Sequence, residues 1–334
     1  MDYYQIKAIS QSQLTNLSYG PKYYRYNLDK VQEDSDAMLL GSVVDCLITE
    51  PDKFNDIFYI SKISKPSGQM GEFCDWFYHY EYEETHHDEL PEGKAYHQVG
   101  FKRDTLAKVL ERFEVEGRDY YNELVAGRSY KVISPEMYDM AQKVVDSLLN
   151  SEYTKPEFEG EEVHKQFEIL WDYVDKDGDV YACKSRLDLM IIDHTNKIIY
   201  PKDIKVKMDS IGDFYSSFVK FRYDLQAAFY TDAVEYFIFQ NNLFDSNGKR
   251  YDVAPFRFIV ESAKYPGTPL IFQISDNDLK VGRDGGTIKG RKYKGYKELI
   301  EDLKFYERNN RFDYERSVIE NRGVVITNVF DREE

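Results

Sequence analysis

Three runs rich in β-branched and aromatic residues follow one another between Val163 and Val206, and no other feature of the chain limits its fold as tightly. They cover Val163 to Val174, Val180 to Ile192 and Ile198 to Val206. The turn Asp175-Lys176-Asp177-Gly178-Asp179 separates the first pair, and the polar stretch Asp193-His194-Thr195-Asn196-Lys197 separates the second. Turns this short join neighbouring antiparallel strands, so the segment predicts the centre of a mostly antiparallel sheet. Side chains alternate along a strand, which puts Asp203 and Lys205 on one face and Ile204 on the other. Asp188 then faces Asp203 across the ladder.

That arrangement gathers two carboxylates and an ammonium group. Oxygen ligands of this kind suit Mg²⁺ or Mn²⁺, and a nearby lysine can hold a water or offset charge building on a phosphate. An Asp-x-Lys in isolation decides nothing, so the chemistry depends on what the rest of the chain brings to it.

Around the strands the pattern is helical. Ser10 to Leu17 predicts a short helix stopped at Gly20-Pro21, and Asp36 to Thr49, with Asp34 or Ser35 as its cap, reads as a buried helix with Asp45 as the carboxylate inside it. Further helices are expected at Asp104 to Glu116 and at Pro135 to Asn150, the latter capped by Ser134. Beyond the strands come a long helix over Tyr223 to Gln240, strands at Pro255 to Glu261 and Pro269 to Ile274, and a helix over Tyr296 to Asn309. Residues 60 to 100 are polar, without clean periodicity, and predict an irregular insertion; the tail from 312 to 334 is poorly patterned. The fold class is α/β (α+β), one domain over 1 to 311 with a central mixed, mostly antiparallel sheet flanked by helices.

The chain has 334 residues and a formal charge of −16, so it repels nucleic acid on average and any such contact needs a local basic surface or bound cations. The stretch Lys280 to Lys297, with Arg283, Lys289, Arg291, Lys292 and Lys294 among several glycines, is the best candidate for phosphate contact. No run of eighteen apolar residues and no basic-then-apolar start appears, which argues against a membrane span or signal peptide and for a cytoplasmic protein, in a bacterium or a phage-infected host. Cys46, Cys74 and Cys183 are scattered and odd in number, against a disulfide framework or a four-cysteine cluster. His79, His86, His87 and His97 lack zinc-ligand spacing and read as surface histidines.

The order of the polar residues is more specific than their number. Asp188, then Asp203-Ile204-Lys205, then Gln226 and Tyr230 four apart on one face of the next helix, resembles the consecutive signatures of the PD-(D/E)xK nuclease superfamily. Ser10 to Tyr24 looks like the N-terminal Ser-x-Ser-x-Leu segment of RecB-like nucleases. Gly41-Ser42-Val43-Val44-Asp45 and Glu50-Pro51-Asp52-Lys53-Phe54 resemble segments of the RecE-type recombination exonucleases, a group that also takes in exodeoxyribonuclease VIII-like and lambda-exonuclease-like enzymes. Ile259-Val260-Glu261, Tyr265-Pro266 and Asp276 to Gly282 are similar to that group's closing strands and helix. The cysteine count departs from its iron–sulfur relatives, and Asp45 stands where the RecE-type helix carries histidine.

This resemblance implies Mg²⁺ (or Mn²⁺) held by Asp188, Asp203 and the Ile204 carbonyl, with Asp45 or Glu168 completing the site. It implies that Lys205 positions or helps deprotonate water, and that Gln226 and Tyr230 hold the scissile strand or its terminal phosphate. Arg186, Lys207, Lys289, Arg291, Lys292 and Lys294 are the cations expected to meet DNA. The activity implied is 5′ to 3′ degradation of one strand of linear duplex DNA, in phage-type recombination or repair, by a homo-oligomeric ring working with a single-strand annealing recombinase. An endonuclease of the same superfamily and a catalytically silent DNA-binding scaffold are the alternatives.

Overall fold

The structure is a computed structural model that describes residues 3–28, 35–82, 89–288 and 290–325. The proposed cap Asp34, with His86, His87 and Lys289, lies outside the described residues. The chain forms two compact units, one from Met1–Ala37 and Asp146–Glu334, the other from Met38–Val145.

The first unit holds a seven-stranded mixed sheet. Its strands are β1 (Ile9–Ser10), β2 (Glu162–Val174), β3 (Val180–Asp193), β4 (Ile198–Lys207), β5 (Asp252–Val253), β6 (Arg257–Ser262) and β7 (Leu270–Gln273). β2 runs antiparallel to β3 along nearly its whole length, from Glu162 opposite Ile192 to Val174 opposite Val180. β4 is antiparallel to β3 from Asp193 opposite Ile198 to Leu189 opposite Lys202, then pairs in parallel with β6 over Lys202–Lys207. Sequence periodicity placed all three central strands to within a residue at either end.

Two helices open the unit, α1 (Gln11–Ser18) and α2 (Pro21–Leu28). Ser10 caps α1 through a reciprocal pair with Gln13, satisfying two otherwise orphaned N–H groups. α1 stops before Gly20-Pro21 as expected, and Pro21 then begins α2, since its fixed φ and missing N–H suit a first helical position. The later helices are α3 (Phe214–Lys220), α4 (Tyr223–Gln240), α5 (Asp276–Asp284), α6 (Tyr296–Asn309) and α7 (Arg316–Glu320). A small antiparallel hairpin, β8 (Gly286–Ile288) with β9 (Arg291–Tyr293), separates α5 from α6.

α4 is buried almost all round because two apolar clusters meet on it. Leu225, Ala228, Phe229 and Val234 pack with Leu14, Trp171, Leu187, Tyr296 and Leu303 on one side. Ala227 faces Phe214, Phe256, Phe258 and Val260 on the other. Trp171 can be this deep because its indole N–H donates to Ser185 Oγ at 3.1 Å. The described part of the tail, 312–325, docks on the body of the unit: Phe312 and Ile319 pack against the first cluster, and Phe312 stacks on Tyr24.

In the second unit, most of the described residues between 60 and 100 are helical, not irregular. Gln69–Tyr82 and Pro91–Val99 are helices, and they share a core with Leu106–Glu116 and Arg118–Ala126 built from Met70, Phe73, Cys74, Val109, Phe113 and Tyr121. The periodicity was hidden because so many of the residues are tyrosine, tryptophan or histidine, whose apolar bodies pack while their polar tips read as surface. Phe58–Ile60 and Lys131–Ile133 pair in parallel beside them.

Candidate active site

β2 covers one edge of β3 throughout, so the opposite edge of β3 is shared. β4 takes residues 189–193 of that edge and β1 takes Cys183 and Lys184. Asp188 sits in the break between them. The pair next in register after Leu189 and Lys202 is Asp188 and Asp203, and there the β3–β4 ladder stops. In place of a main-chain partner, the Ile204 N–H donates to Asp188 Oδ2 at 2.9 Å. Across the other ladder, Asp188 falls opposite Gln166, which has a left-handed φ of 48°. The apolar alternation of β3 changes phase here too, with Cys183 and Leu187 but also Met190 and Ile192 in one cluster.

Asp203 is 2 % exposed, an expensive place for a carboxylate unless it is matched. Lys205 Nζ lies 2.6 Å from its Oδ2, and Gln226 Nε2 donates to its Oδ1 at 2.6 Å. Gln226 reaches it from the first turns of α4. Burial works against the Lys205 ammonium, but Asp203, Tyr223 and Asp188 outweigh it and hold its pKa above the ordinary lysine range. The ammonium also rests over the Tyr223 ring, 4.8 Å from the centroid. Tyr230, one turn beyond Gln226, is raised well above a normal phenol by burial first, then by Asp203, Tyr3 and Asp188. It stays a proton donor throughout the physiological range.

The donor set suits a hard divalent cation. Asp203 Oδ2 is buried and has no well-aligned hydrogen bond, although Lys205 stands close beside it. Mg²⁺ commonly takes one or two protein carboxylates and keeps several waters, so Asp188, Asp203 and the Ile204 carbonyl are a sufficient protein contribution. Among the described residues, no three His, Cys, Asp or Glu side chains are grouped as metal ligands. Glu168 stands diagonal to Asp188 across the β2–β3 ladder. The register puts it opposite Arg186, two positions from the residue that faces Asp188, and it is exposed. Asp45 belongs to the 38–145 unit, on the helix Asp36–Thr49, with Thr49 Oγ1 at 3.5 Å from its Oδ1.

The expected DNA contacts divide. Arg186 lies between the rings of Tyr3 and Tyr4, at 5.1 and 5.0 Å, and donates to Tyr4 Oη. Lys207 bonds Ser217 on α3. Lys292 is 3.1 Å from Glu298, and Lys294 is 2.6 Å from Asp302. Arg291 is exposed and, among the described residues, has no carboxylate partner. Arg283, on the same basic stretch, is tied to Asp232.

Residues that periodicity passed over complete the surroundings. Lys184 donates to the Tyr3 and Ile6 carbonyls, both at 2.9 Å, which pins the first residues onto β3 beside Arg186. Burial pushes the Tyr3 phenol up to about 12, with Arg186 opposing and Glu168 adding. The doubled tyrosine before the Ser10 cap was the only sign of this in the sequence. Arg222, at a left-handed φ of 55° just before α4, forms a buried pair with Asp224 at 3.0 Å and donates to the Lys294 carbonyl at 2.7 Å. The three cysteines are buried and free, and burial raises Cys74 and Cys183 to about 12, which makes them inert.

The family described as PDDEXK-like domain of unknown function (DUF3799) matches residues 10–245. None of the curated proteins matches the chain. Among solved structures, a candidate exonuclease from Eubacterium rectale aligns over 98 % of this chain and 94 % of its own, at 13 % identity and a TM-score of 0.47. A second, SSO0001, aligns over 59 % of this chain and 70 % of its own, at 14 % identity and a TM-score of 0.27. TM-scores below 0.5 mark only loose likeness, so the fold assignment rests on the family match and on the mixed sheet itself.

Proposed function

Because the chain belongs to the PDDEXK-like domains, we propose that it is a divalent-cation-dependent deoxyribonuclease, and specifically a RecE-type exonuclease acting 5′ to 3′ on linear duplex DNA. The observation that carries this reading is the break in the β3 edge, where buried Asp203 meets Lys205 and Gln226 while Asp188 is held in register by the Ile204 amide. Asp188, Asp203 and the Ile204 carbonyl would hold Mg²⁺ or Mn²⁺. Such a cation supplies Lewis acidity toward the phosphate and lowers the pKa of water. Gln226 fixes the rotation of the Asp203 carboxylate, so its free lone pairs stay aimed at the break. Lys205 offers a positive charge and three N–H donors to an attacking water or to charge developing on the phosphate. Tyr230, protonated and one turn away, is placed to hold the scissile strand.

The rest of the reading goes with the exonuclease. One nuclease domain over 1–311 with an insertion at about 60–100, a ring of identical chains, a single-strand annealing recombinase as partner, a role in phage-type recombination or repair and a cytoplasmic site of action all belong to the same proposal. Among the described residues no helix is long and apolar enough to cross a membrane. Incubation with linear and circular duplex DNA, with Mg²⁺, Mn²⁺ or EDTA, tests the activity. Release of nucleotides from linear DNA alone, abolished in Lys205→Ala, is the expected result. Cutting of circular DNA would replace the exonuclease with an endonuclease, and no cleavage with either metal would sink both.

A further inference from the structure

The basic stretch singled out in the sequence borders an open cleft of about 810 Å³ in the first unit, formed by α1, α3, β9 and the residue before α4. Five cations line it against one carboxylate, Glu315. Three of the five are already matched: Arg222 by Asp224, Lys292 by Glu298, and Lys294 by Asp302 with Glu315 behind it. Lys220 and Arg291 are not. Both are exposed, and among the described residues neither has a carboxylate partner; each rests only over an aromatic ring, Phe221 at 5.2 Å and Tyr293 at 5.3 Å. In a chain of charge −16, two unmatched cations in one concavity mark a place for an anion.

Aromatic rings line the same cleft. Tyr215 is 72 % exposed and Tyr19 47 %, and both line the cleft. Tyr19 is held in place by its hydroxyl, which donates to the Lys220 carbonyl at 2.5 Å. Tyr293 carries two guanidiniums, Arg222 at 5.5 Å and Arg291 at 5.3 Å. Exposed rings beside cations match a strand whose bases are unstacked, because the faces of duplex bases are hidden from a protein side chain. The cleft also adjoins the break in β3: Arg222 lines it, and the next residue, Tyr223, carries the Lys205 ammonium on its ring.

We propose that this cleft binds a single-stranded segment of DNA, with Lys220 and Arg291 on its phosphates and Tyr19 and Tyr215 stacking on its bases. The proposal rests on the nuclease reading for its substrate class and deepens it, since it assigns a single strand, not the duplex, to the surface next to the candidate metal ligands. It also accounts for Lys292 and Lys294 differently from the sequence expectation: their charges are matched by Glu298 and Asp302 of α6, which braces the hairpin that presents Arg291.

Fluorescence anisotropy of the full chain with a fluorescein-labelled oligothymidylate, in EDTA so that nothing is cut, tests this directly. Tyr215→Ala should weaken binding about tenfold, the loss of one stacked base, while Tyr215→Phe should bind like the parent. Arg291→Ala should weaken it and flatten the dependence on salt by about one phosphate contact. Unlabelled single strand should displace the probe far better than blunt duplex of the same length. Parent-like binding by both alanine variants, equal displacement by duplex, or loss of binding in Tyr215→Phe would overturn the proposal. The nuclease reading fails separately: a chain that binds single strands but cleaves nothing with Mg²⁺ or Mn²⁺ keeps the cleft and loses the enzyme.

Discussion

Lys202 is 3 % exposed and its charge is balanced by one group, Glu157, itself 8 % exposed. Its ammonium lies 2.9 Å from Glu157 Oε2 and donates to the Glu157 main-chain carbonyl at 2.7 Å, while Arg257 Nη1 holds Oε1 at 2.8 Å. Glu157→Gln keeps the shape and the main-chain acceptor and removes only the negative charge. Unmatching one side of a buried pair costs about 3–5 kcal/mol, and the retained carbonyl places this case at about 3. For a unit of this size each kcal/mol lowers the melting temperature by about 2–4 °C, so circular dichroism should show a drop of about 6–12 °C at neutral pH. The pH dependence carries the sharper signature. Burial depresses the Lys202 pKa and Glu157 opposes that, so loss of Glu157 depresses it further. Folded Lys202 then binds fewer protons than unfolded Lys202 over a wider window below the ordinary value of 10.5, and stability rises with pH across that window. The deficit of the variant should therefore shrink as pH climbs toward that value. A melt within about 1 °C of the parent, or a deficit that grows with pH, would refute the reasoning.

Two further outcomes follow from single contacts. Gln226→Leu removes the donor to buried Asp203 Oδ1 with little change of volume and should cut DNA hydrolysis about 10- to 100-fold while costing about 1–3 kcal/mol of stability; full activity would show that the carboxylate needs no such guide. Gly282 packs so closely that an added Cβ would stand 2.0 Å from the Asp224 carbonyl oxygen, so Gly282→Ala should destabilise by at least about 1–3 kcal/mol in urea titration, and a neutral result would mean that α5 can slide on α4 freely.

The frame of the fold was legible because its strands and long helices carry apolar residues over the length and with the period of each element. α4 and α6 are found at the residues where the pattern put them. What stayed hidden depends on contacts between distant residues. Nothing near Arg186 announces Tyr4, 182 positions away, as the group that receives its guanidinium. Lys292 and Lys294 looked like free cations because their partners, Glu298, Asp302 and Glu315, sit on α6 and just before α7. Of the site, the structure brings Asp188, Asp203, Lys205 and Gln226 into one hydrogen-bonded and ion-paired group with Tyr230 one turn away.

The bond from the Ile204 amide to Asp188 has a mechanical meaning. An acidic side chain at the end of a ladder ordinarily turns about two torsions. Here one oxygen of Asp188 is a rung of the sheet, so the spacing of β3 and β4 sets where the other oxygen points. Any force that spreads those two strands would swing that oxygen and the Ile204 carbonyl together, and the sheet acts as the hinge on which the pair is aligned.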